Sequence, residues 1–244
     1  MAEHKNTTHI VGVSGGKDST ALALLLAERE PRDYVYLITP TGDELPEMEA
    51  HWTHLETLLG KPLTRVTNGT LDSWIDEFNA LPNHRQRWCT RLLKIEPTIA
   101  FVRSHMPAIN YVGLRADEEE RVGIYGEIPS RFPLREWGFG LAEVLTYLKA
   151  RDIKIPERTD CYDCYGQRLV EWRRLLRKHP DLYTKAEAKE AATGRTFRSA
   201  KRDTWPAPLS ELRAAFESGR KLRGEKDDDC DDDDNAGSCR VCQL

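Results

Sequence analysis

Residues 14–19, with the sequence SGGKDS, combine two adjacent glycines with a lysine, an aspartate and two serines. A short apolar, β-prone run at residues 8–13 precedes this segment, and an Ala- and Leu-rich stretch typical of a helix follows at residues 20–28. Backbone N–H groups and the helix dipole converge where a strand delivers glycines to a helix N-terminus, and together they favour a bound phosphate. The pattern therefore predicts a phosphate-binding loop formed by Ser14, Gly15, Gly16, Lys17, Asp18 and Ser19.

This loop differs from a Walker A motif at two positions. That motif requires Gly where Val11 stands, and it requires Ser or Thr directly after the lysine, where Asp18 stands. The simpler alternative to a phosphate site is a tight strand-to-helix turn that needs the two glycines only for its backbone.

Six cysteines form the second group of residues that could do chemistry, and four of them make two C-x-x-C pairs. The start of the chain lacks the apolar segment of a secretory signal, so this spacing favours metal or redox chemistry over a disulfide framework. Cys89, Cys161 and Cys164 are predicted to ligate a [4Fe–4S] cluster or Zn²⁺, both of which favour thiolates. Ordinary buried or reactive thiols are the alternative.

Strand and helix patterns alternate through the first half of the chain. Strand-like runs fall at residues 8–13, 34–38, 63–66 and 111–114, and helical patterns fall at residues 20–28, 45–59, 71–78 and 89–106, the last interrupted at Pro97. This alternation predicts an α/β fold of the Rossmann-like type, with right-handed crossovers and a largely parallel sheet.

The pattern changes after about residue 120. A segment rich in Pro, Gly and aromatic residues is followed by helical patterns near residues 141–150, 167–178, 184–191 and 208–218. We expect an α/β domain at residues 1–160, a helical C-terminal lobe packed on the sheet at residues 161–222, and a disordered acidic tail at residues 223–244.

The net charge of −4 is unevenly distributed. Residues 225–234 carry eight acids and one lysine, so the remainder of the chain has a charge of +3, which suits an anionic ligand. No run approaches the roughly 18 apolar residues that span a bilayer. We therefore expect no membrane segment and a cytoplasmic location.

The loop VSGGKDST resembles the SGGxDS loop of the ATP pyrophosphatase (PP-loop) superfamily, and it is most similar to that of the phosphoadenosine phosphosulfate (PAPS) reductase family. Four further segments follow in the family's order, at residues 41–47 (TGDELPE), 87–97 (RWCTRLLKIEP), 113–118 (GLRADE) and 132–156. The resemblance implies the adenine nucleotide alpha hydrolase-like fold and a bound adenine nucleotide, either ATP or APS/PAPS. It also adds Gly42, Gly113 and Arg115 to the nucleotide site, with Arg115 holding phosphate or sulfate.

Two enzymatic activities are consistent with this resemblance. In the first, which we favour slightly, a substrate attacks the α-phosphate of ATP, pyrophosphate leaves, and a cluster-bound or persulfide sulfur replaces AMP. Lys17, the loop amides and Mg²⁺ would stabilise the charge that develops on the phosphate, and Asp18 is the other catalytic candidate of the loop. In the second, a thiol of Cys239 or Cys242 takes the sulfur of APS or PAPS, and a thioredoxin-like reductant completes the cycle. A nucleotide-binding module without chemistry is the third reading.

The chain departs from its relatives at both sets of cysteines. Iron–sulfur APS reductases have a tandem Cys pair where this chain has Cys89-Thr90, so the fourth cluster ligand would be Cys230, a C-terminal Cys, a non-protein ligand, or none, which leaves an open iron. PAPS reductases end in the catalytic sequence ECGLH, whereas this chain ends in SCRVCQL. These departures weaken the assignment of Cys239 and Cys242 as catalytic residues.

Two further groups have competing interpretations. The segment at residues 168–178 is predicted to bury Leu169, Trp172 and Leu176, and its basic face is either solvated or in contact with a nucleic-acid acceptor. That face comprises Arg168, Arg173, Arg174, Arg177 and Lys178. Asp43 and Glu47 either contact the nucleotide or a metal, or simply favour a helix N-terminus.

Overall fold

A computed structural model describes residues 7–118 and 127–222 of the 244-residue chain. Its sheet has five parallel strands: β1 (Thr8–Gly12), β2 (Tyr34–Ile38), β3 (Thr64–Arg65), β4 (Ala108–Tyr111) and β5 (Ser130–Arg131). The strand order is β3-β2-β1-β4-β5. Helices flank this sheet, so the predicted α/β Rossmann-like class is confirmed.

The order in which the chain adds strands to the sheet reverses at the central strand, β1. The chain first builds outward from β1 to β2 and β3, and then returns to add β4 and β5 on the other side of β1. His9 of β1 is paired in register with Tyr34 of β2 on one side and with Ile109 of β4 on the other. Open parallel sheets bind ligands beyond the carboxyl ends of their strands at such a switch point. The phosphate loop follows β1 and residues 113–118 follow β4, so both segments lie at this position.

Ten α-helices lie in the described ranges: α1 (Lys17–Arg29), α2 (Pro46–Leu59), α3 (Leu71–Phe78), α4 (Trp88–Thr90), α5 (Glu96–Ser104), α6 (Pro133–Glu136), α7 (Leu141–Lys149), α8 (Leu169–Lys178), α9 (Pro180–Thr193) and α10 (Leu209–Glu217). A π-helical turn, Arg91–Ile95, joins α4 to α5. π-Helical turns are rare and occur often at functional sites.

The helical lobe and the edge of the α/β unit share one apolar cluster. Trp172 and Tyr183, from α8 and α9, are fully buried, and they belong to the same cluster as Leu71 of α3 and Leu93 of the π-helical turn. This core therefore draws on residues from both sides of residue 160. The domain boundaries remain a prediction from the sequence.

Two strands differ from the sequence prediction. The fourth strand is Ala108–Tyr111 and not residues 111–114, because the chain leaves the sheet there to approach α1. The fifth strand was missed because its two paired residues, Ser130 and Arg131, are polar. The long helix predicted at residues 89–106 is divided into α4, the π-helical turn and α5, and Pro97 lies in the first turn of α5, where a missing N–H costs little.

The buried face of α8 also differs from its prediction by one position. Trp172 is buried as expected, but its apolar partner is Leu175, which is 3% exposed. Leu169 and Leu176 are only partly buried at the edge of the cluster. The shift rotates the polar face of the helix and brings Glu171 into a buried position.

Replacement of Trp172 by Ala tests whether this shared cluster stabilises the fold. We expect Trp172→Ala to lower the free energy of unfolding by about 3–5 kcal/mol, because a large, fully buried side chain is removed. Urea unfolding followed by circular dichroism measures the change. Leu145→Ala is the control, since Leu145 is 45% exposed and should change stability by less than about 0.5 kcal/mol. Equal effects of the two substitutions would contradict the expectation.

Candidate active site

The phosphate loop is closed by its own serines. The Ser19 hydroxyl accepts a hydrogen bond from the Ser14 amide (3.1 Å) and donates one to the Gly16 carbonyl (3.1 Å). Thr20 N donates the next bond to the Gly16 carbonyl (2.9 Å). The N–H groups of residues 17–19 precede this intrahelical ladder, which is the arrangement that binds anions at helix N-termini.

Gly15 has a backbone conformation and an environment that exclude a side chain. Its φ is +81°, and a Cβ at this position would lie 2.4 Å from Met48 Cε and 2.7 Å from Trp52 Nε1. Gly16, by contrast, caps α1 with an extended backbone at φ −73°. The loop therefore packs directly on α2, and glycine at position 15 makes this packing possible.

Lys17, Asp18 and Arg115 form a charged group at the mouth of the loop. Arg115 donates to Asp18 Oδ2 (2.9 Å) and to Asp117 Oδ1 (2.8 Å), and its guanidinium lies 3.7 Å from a Glu118 oxygen. Lys17 Nζ is 3.8 Å from Asp18 Oδ2. Burial lowers the pKa of Lys17 and raises that of Asp18. Because three carboxylates surround Arg115, it positions Asp18 here, and a phosphate would compete with them for its guanidinium.

Asp18 has a buried oxygen, Oδ1, without a hydrogen-bond partner. An unpaired buried carboxylate oxygen is costly, and it suits a hard cation such as Mg²⁺ that keeps several of its waters. Gly113 allows the segment after β4 to approach this position closely, because a Cβ there would lie 3.2 Å from the Asp18 carbonyl carbon. The predicted residues of both segments thus meet at the N-terminus of α1.

The loop after β2 is stabilised by Glu44. Its carboxylate accepts hydrogen bonds from the Thr41 amide (2.6 Å), the Thr41 hydroxyl (2.7 Å) and the Gly42 amide (3.0 Å). Gly42 has φ +91°, and a Cβ there would lie 3.2 Å from the side chain of Thr70. Gly42 therefore serves the turn geometry, and its predicted nucleotide contact stays a prediction.

Asp43 pairs with the helical lobe. Lys189 Nζ of α9 lies 2.6 Å from Asp43, 2.8 Å from Asp163 and 2.6 Å from Asp72. Burial would lower the pKa of Lys189, but the attraction of Asp163 and Asp43 outweighs it and raises the pKa. Tyr162 adds a cation–π contact with Lys189 at 4.9 Å.

Glu47 is likewise paired with the lobe. One of its oxygens is 2.8 Å from Nε2 of His179. The two acids for which a nucleotide or metal role was considered therefore both contact C-terminal residues in this structure.

The three predicted metal ligands line a single cavity. Cys89 reaches it from α4, whereas Cys161 and Cys164 reach it from a turn before α8. The Cys161 Sγ is 3.1 Å from the Thr41 hydroxyl, which links this thiol cavity to the loop after β2. Burial raises the pKa of Cys161 well above its usual value, while the charge of Lys94 acts in the opposite direction.

The turn that carries two of the thiols is fixed by buried polar contacts. Arg158 donates to the Gln167 side chain (2.7 Å) and to the Cys161 carbonyl (2.8 Å). The Tyr162 amide donates to the Asp43 carbonyl (2.9 Å). The first two residues of the C-x-x-C segment are therefore held by the protein itself.

The donor set of the thiol cavity fits a soft metal, since three thiols face one space. As the side chains stand, no three His, Cys, Asp or Glu residues within residues 7–118 and 127–222 are arranged to hold one metal ion. Binding would therefore require the thiols to turn towards a common centre. The predicted tail ligands and catalytic residues, Cys230, Cys239 and Cys242, lie outside the described residues.

The basic side chains of α8 are partly paired within the protein. Arg174 and Lys178 both pair with Glu157, and Arg168 lies 3.4 Å from Glu171. This helix therefore offers less unpaired positive charge than its sequence indicates.

Several residues at the site were missed from the sequence. Arg158 had a local signal, because it stands three positions before the C-x-x-C pair. Lys189 had none, since its partners lie 26 to 146 residues away along the chain. His51 was also missed, although it is 5% exposed and lies 3.3 Å from the hydroxyl of Thr20 in α1.

His51 predicts a pH dependence of stability. Burial lowers its pKa from 6.5 to about 4, so the unfolded chain takes up this proton first as the pH falls. The stability that the neutral imidazole contributes is present above pH 6.5 and is lost between pH 6.5 and 4, by about 3 kcal/mol. Urea unfolding at several pH values should show a shallower loss for His51→Gln. His105→Gln, at an exposed position, should follow the parent protein. Parallel curves for the parent protein and His51→Gln would contradict the expectation.

Comparisons with known proteins extend this description. Two uncharacterized proteins of Methanocaldococcus jannaschii are 24% and 23% identical over 195 and 209 residues, which is 73% and 76% of this chain. These matches cover only 40% and 48% of the relatives, so the chain spans less than half of their length.

In the described part of the chain, no helix has both the length and the apolar character needed to cross a membrane.

Three solved structures are similar to this chain at lower sequence identity than the two archaeal relatives. A PAPS reductase from Candida auris in a phosphate complex is 13% identical with a TM-score of 0.49, over 62% of this chain and 76% of that one. An NMN synthetase from Francisella tularensis is 14% identical with a TM-score of 0.46, over 92% and 91%. A U34-tRNA thiolase from Methanococcus maripaludis with its [4Fe–4S] cluster is 16% identical with a TM-score of 0.46, over 91% and 84%.

A family match covers the region that carries the loop and the ordered segments. It spans residues 8–157, more than half of the chain, and its description is the phosphoadenosine phosphosulfate reductase domain. The resemblance found in the sequence is thus confirmed, and the chain belongs to the phosphoadenosine phosphosulfate reductase domain family.

Proposed function

We propose that this protein is an enzyme that binds an adenine nucleotide at residues 14–19 and transfers sulfur after activation at the α-phosphate. One observation carries the proposal. The phosphate loop follows β1, the thiol cavity adjoins the loop after the neighbouring β2, and the Thr41 hydroxyl lies 3.1 Å from Cys161 Sγ. Phosphate chemistry and sulfur chemistry would therefore proceed at the same edge of the sheet.

The nucleotide end of the reaction uses the N-terminus of α1. An acceptor oxygen attacks the α-phosphorus of ATP, the bond to the leaving oxygen of pyrophosphate breaks, and AMP is joined to the acceptor. The amides of residues 17–19 and the Lys17 ammonium would stabilise the charge that develops on the phosphate oxygens. Asp18, which Arg115 holds in place, has an unpaired Oδ1 and would be the residue that holds a Mg²⁺ accompanying the nucleotide.

The sulfur end uses the thiol cavity. Cys89, Cys161 and Cys164 would hold a [4Fe–4S] cluster, which when bound would supply Lewis acidity towards a hydrosulfide sulfur donor. The sulfur then attacks the activated carbon of the acceptor, and AMP leaves with the former acceptor oxygen. Arg158 holds the backbone carbonyl of Cys161, and the Thr41 hydroxyl contacts its Sγ.

Reduction of APS or PAPS is the second candidate, and membership of the PAPS reductase domain family favours it. In that reaction a thiolate attacks the sulfate sulfur, the bond from that sulfur to the nucleotide phosphate breaks, and AMP or adenosine 3′,5′-bisphosphate leaves. A thiol of the reductant then attacks the sulfur of the enzyme cysteine, and sulfite leaves as a disulfide forms. The thiol would be Cys239 or Cys242, and a thioredoxin-like protein would be the reductant.

Parallel anaerobic assays distinguish the two reactions. Sulfur transfer predicts pyrophosphate release from ATP in the presence of hydrosulfide and acceptor, without sulfite from APS or PAPS. Lys17→Met should lower kcat/KM for pyrophosphate release by about 100- to 1,000-fold, because one charge stabiliser of the transition state is lost. Lys61→Met is the matched control, since Lys61 forms a surface pair with Asp33. Release of sulfite from APS or PAPS, without release of pyrophosphate from ATP, would contradict sulfur transfer and favour the reductase reaction.

Iron analysis tests the role of the cysteines. After anaerobic reconstitution, we expect bound iron and sulfide with a broad absorbance near 400 nm in the parent protein. Replacement of any one of Cys89, Cys161 and Cys164 by Ser should lower bound iron at least about fivefold, because a thiolate ligand is removed.

Cysteines of the last 15 residues serve as controls for this experiment. The Cys239→Ser and Cys242→Ser variants should retain iron if three cavity thiols hold the cluster, and their sulfite activity reports separately on the reductase reaction. Binding of zinc alone, or retention of iron in all three cavity variants, would contradict the cluster assignment.

A further inference from the structure

An open groove of about 630 Å³ lies beside the thiol cavity. Aromatic and arginine side chains dominate its lining, which comprises Phe78, Ala80, Gln86, Arg87, Trp88 and Arg91. The volume is in the range of sites that hold a nucleotide-sized ligand. We refer to these six residues as the aromatic groove.

The two aromatic rings of this groove, Phe78 and Trp88, contact each other, and Trp74 of α3 packs on Phe78 from outside the groove lining. Phe78 lies 5.3 Å from Trp74 and 5.3 Å from Trp88 between ring centroids, and the contact with Trp88 is edge-to-face. Phe78 is 42% exposed, which is unusual for so large an apolar side chain. Exposed aromatic rings beside arginines provide the stacking surface that single-stranded nucleic acids use, and each stacked base contributes measurably to affinity.

The groove is also positively charged. Residues 78–95 contain four basic residues and no acidic one. Arg85, Arg87 and Arg91 are exposed on this segment. Arg91 pairs with Glu96 at 2.7 Å, but such an exposed pair contributes little and can be exchanged for a phosphate. The combination of aromatic rings with positive charge matches the bases and phosphates of a nucleic acid.

The aromatic groove and the thiol cavity share the helix α4. Trp88 lines the groove, while the next residue, Cys89, lines the cavity. The segment just before the groove residue Gln86 also contacts the cavity, because the His84 ring lies 4.9 Å from Tyr165, which lines the cavity. A base stacked on Trp88 would therefore contact the same short helix that carries the Cys89 thiol.

We propose that the aromatic groove binds a single-stranded segment of nucleic acid, with bases stacked on Phe78 and Trp88 and phosphates paired with Arg85, Arg87 and Arg91. This segment presents the sulfur acceptor to the thiol cavity, and only that acceptor role rests on the proposed function. Binding itself requires neither the nucleotide loop nor the thiols. The location differs from the basic face of α8, where Arg174 and Lys178 are paired with Glu157.

Fluorescence anisotropy with the full chain tests the proposal. The probes are labelled single-stranded DNA and RNA oligonucleotides of about 12 nucleotides, titrated at salt concentrations from about 50 to 200 mM. Phe78→Ala and Trp88→Ala should each weaken binding by about tenfold, and Trp88→Phe should retain most of the affinity because it keeps a stacking ring. The double variant Arg85→Gln/Arg87→Gln should reduce the slope of log affinity against log salt by about 1.4.

The double variant Arg173→Gln/Arg177→Gln on α8 is the control for a general basic surface. Its binding should remain within about twofold of the parent protein if the aromatic groove is the site. The proposal is overturned if no oligonucleotide binds at about 50 mM salt, or if only the α8 variant loses affinity. Oligonucleotide binding without pyrophosphate release would leave the groove assigned and remove the proposed function. Pyrophosphate release without oligonucleotide binding would support the proposed function and contradict the assignment of the groove.

Discussion

The interaction on which the candidate site depends is the ion pair cluster around Lys189. Its ammonium joins Asp43, from the loop after β2, to Asp163, inside the C-x-x-C turn, and so fastens the helical lobe to the α/β unit. Asp163 is fully buried, and loss of a single partner from such a cluster typically costs about 3–5 kcal/mol, because an unpaired charge remains in the interior. Together with the bond from the Tyr162 amide to the Asp43 carbonyl, this contact holds the C-x-x-C turn against the loop after β2.

The phosphate loop is constrained in a different way, by close backbone packing. Gly15 lets the loop pack on α2, and Gly113 lets the segment after β4 approach the start of α1. Arg115 then lies within reach of Asp18 but is surrounded by carboxylates, so its charge is largely balanced within the protein. The positive potential available to a phosphate comes mainly from the helix N-terminus and from Lys17.

Residues with their own local pattern were identified from the sequence, whereas residues defined by long-range partners were not. The glycines of the phosphate loop and the C-x-x-C spacing are visible within a few positions, and the alternation of strands and helices predicts the parallel sheet. Lys189 and His51 are single residues on ordinary helices, and only the folded chain reveals their partners. Leu175 illustrates a smaller limit, because helical spacing alone allowed the buried stripe of α8 to be placed one residue away.

The π-helical turn Arg91–Ile95 has a consequence for how this chain can change during evolution. A π-helical turn accommodates about one residue more than an α-helical turn. Deletion of that extra residue would restore a regular helix and rotate α4 by about 100° relative to α5. Trp88 and Cys89 would turn together, so one deletion would remove the ring from the groove and the thiol from the cavity. Sequences that descend from this one are therefore expected to keep the length of the segment even where its side chains vary.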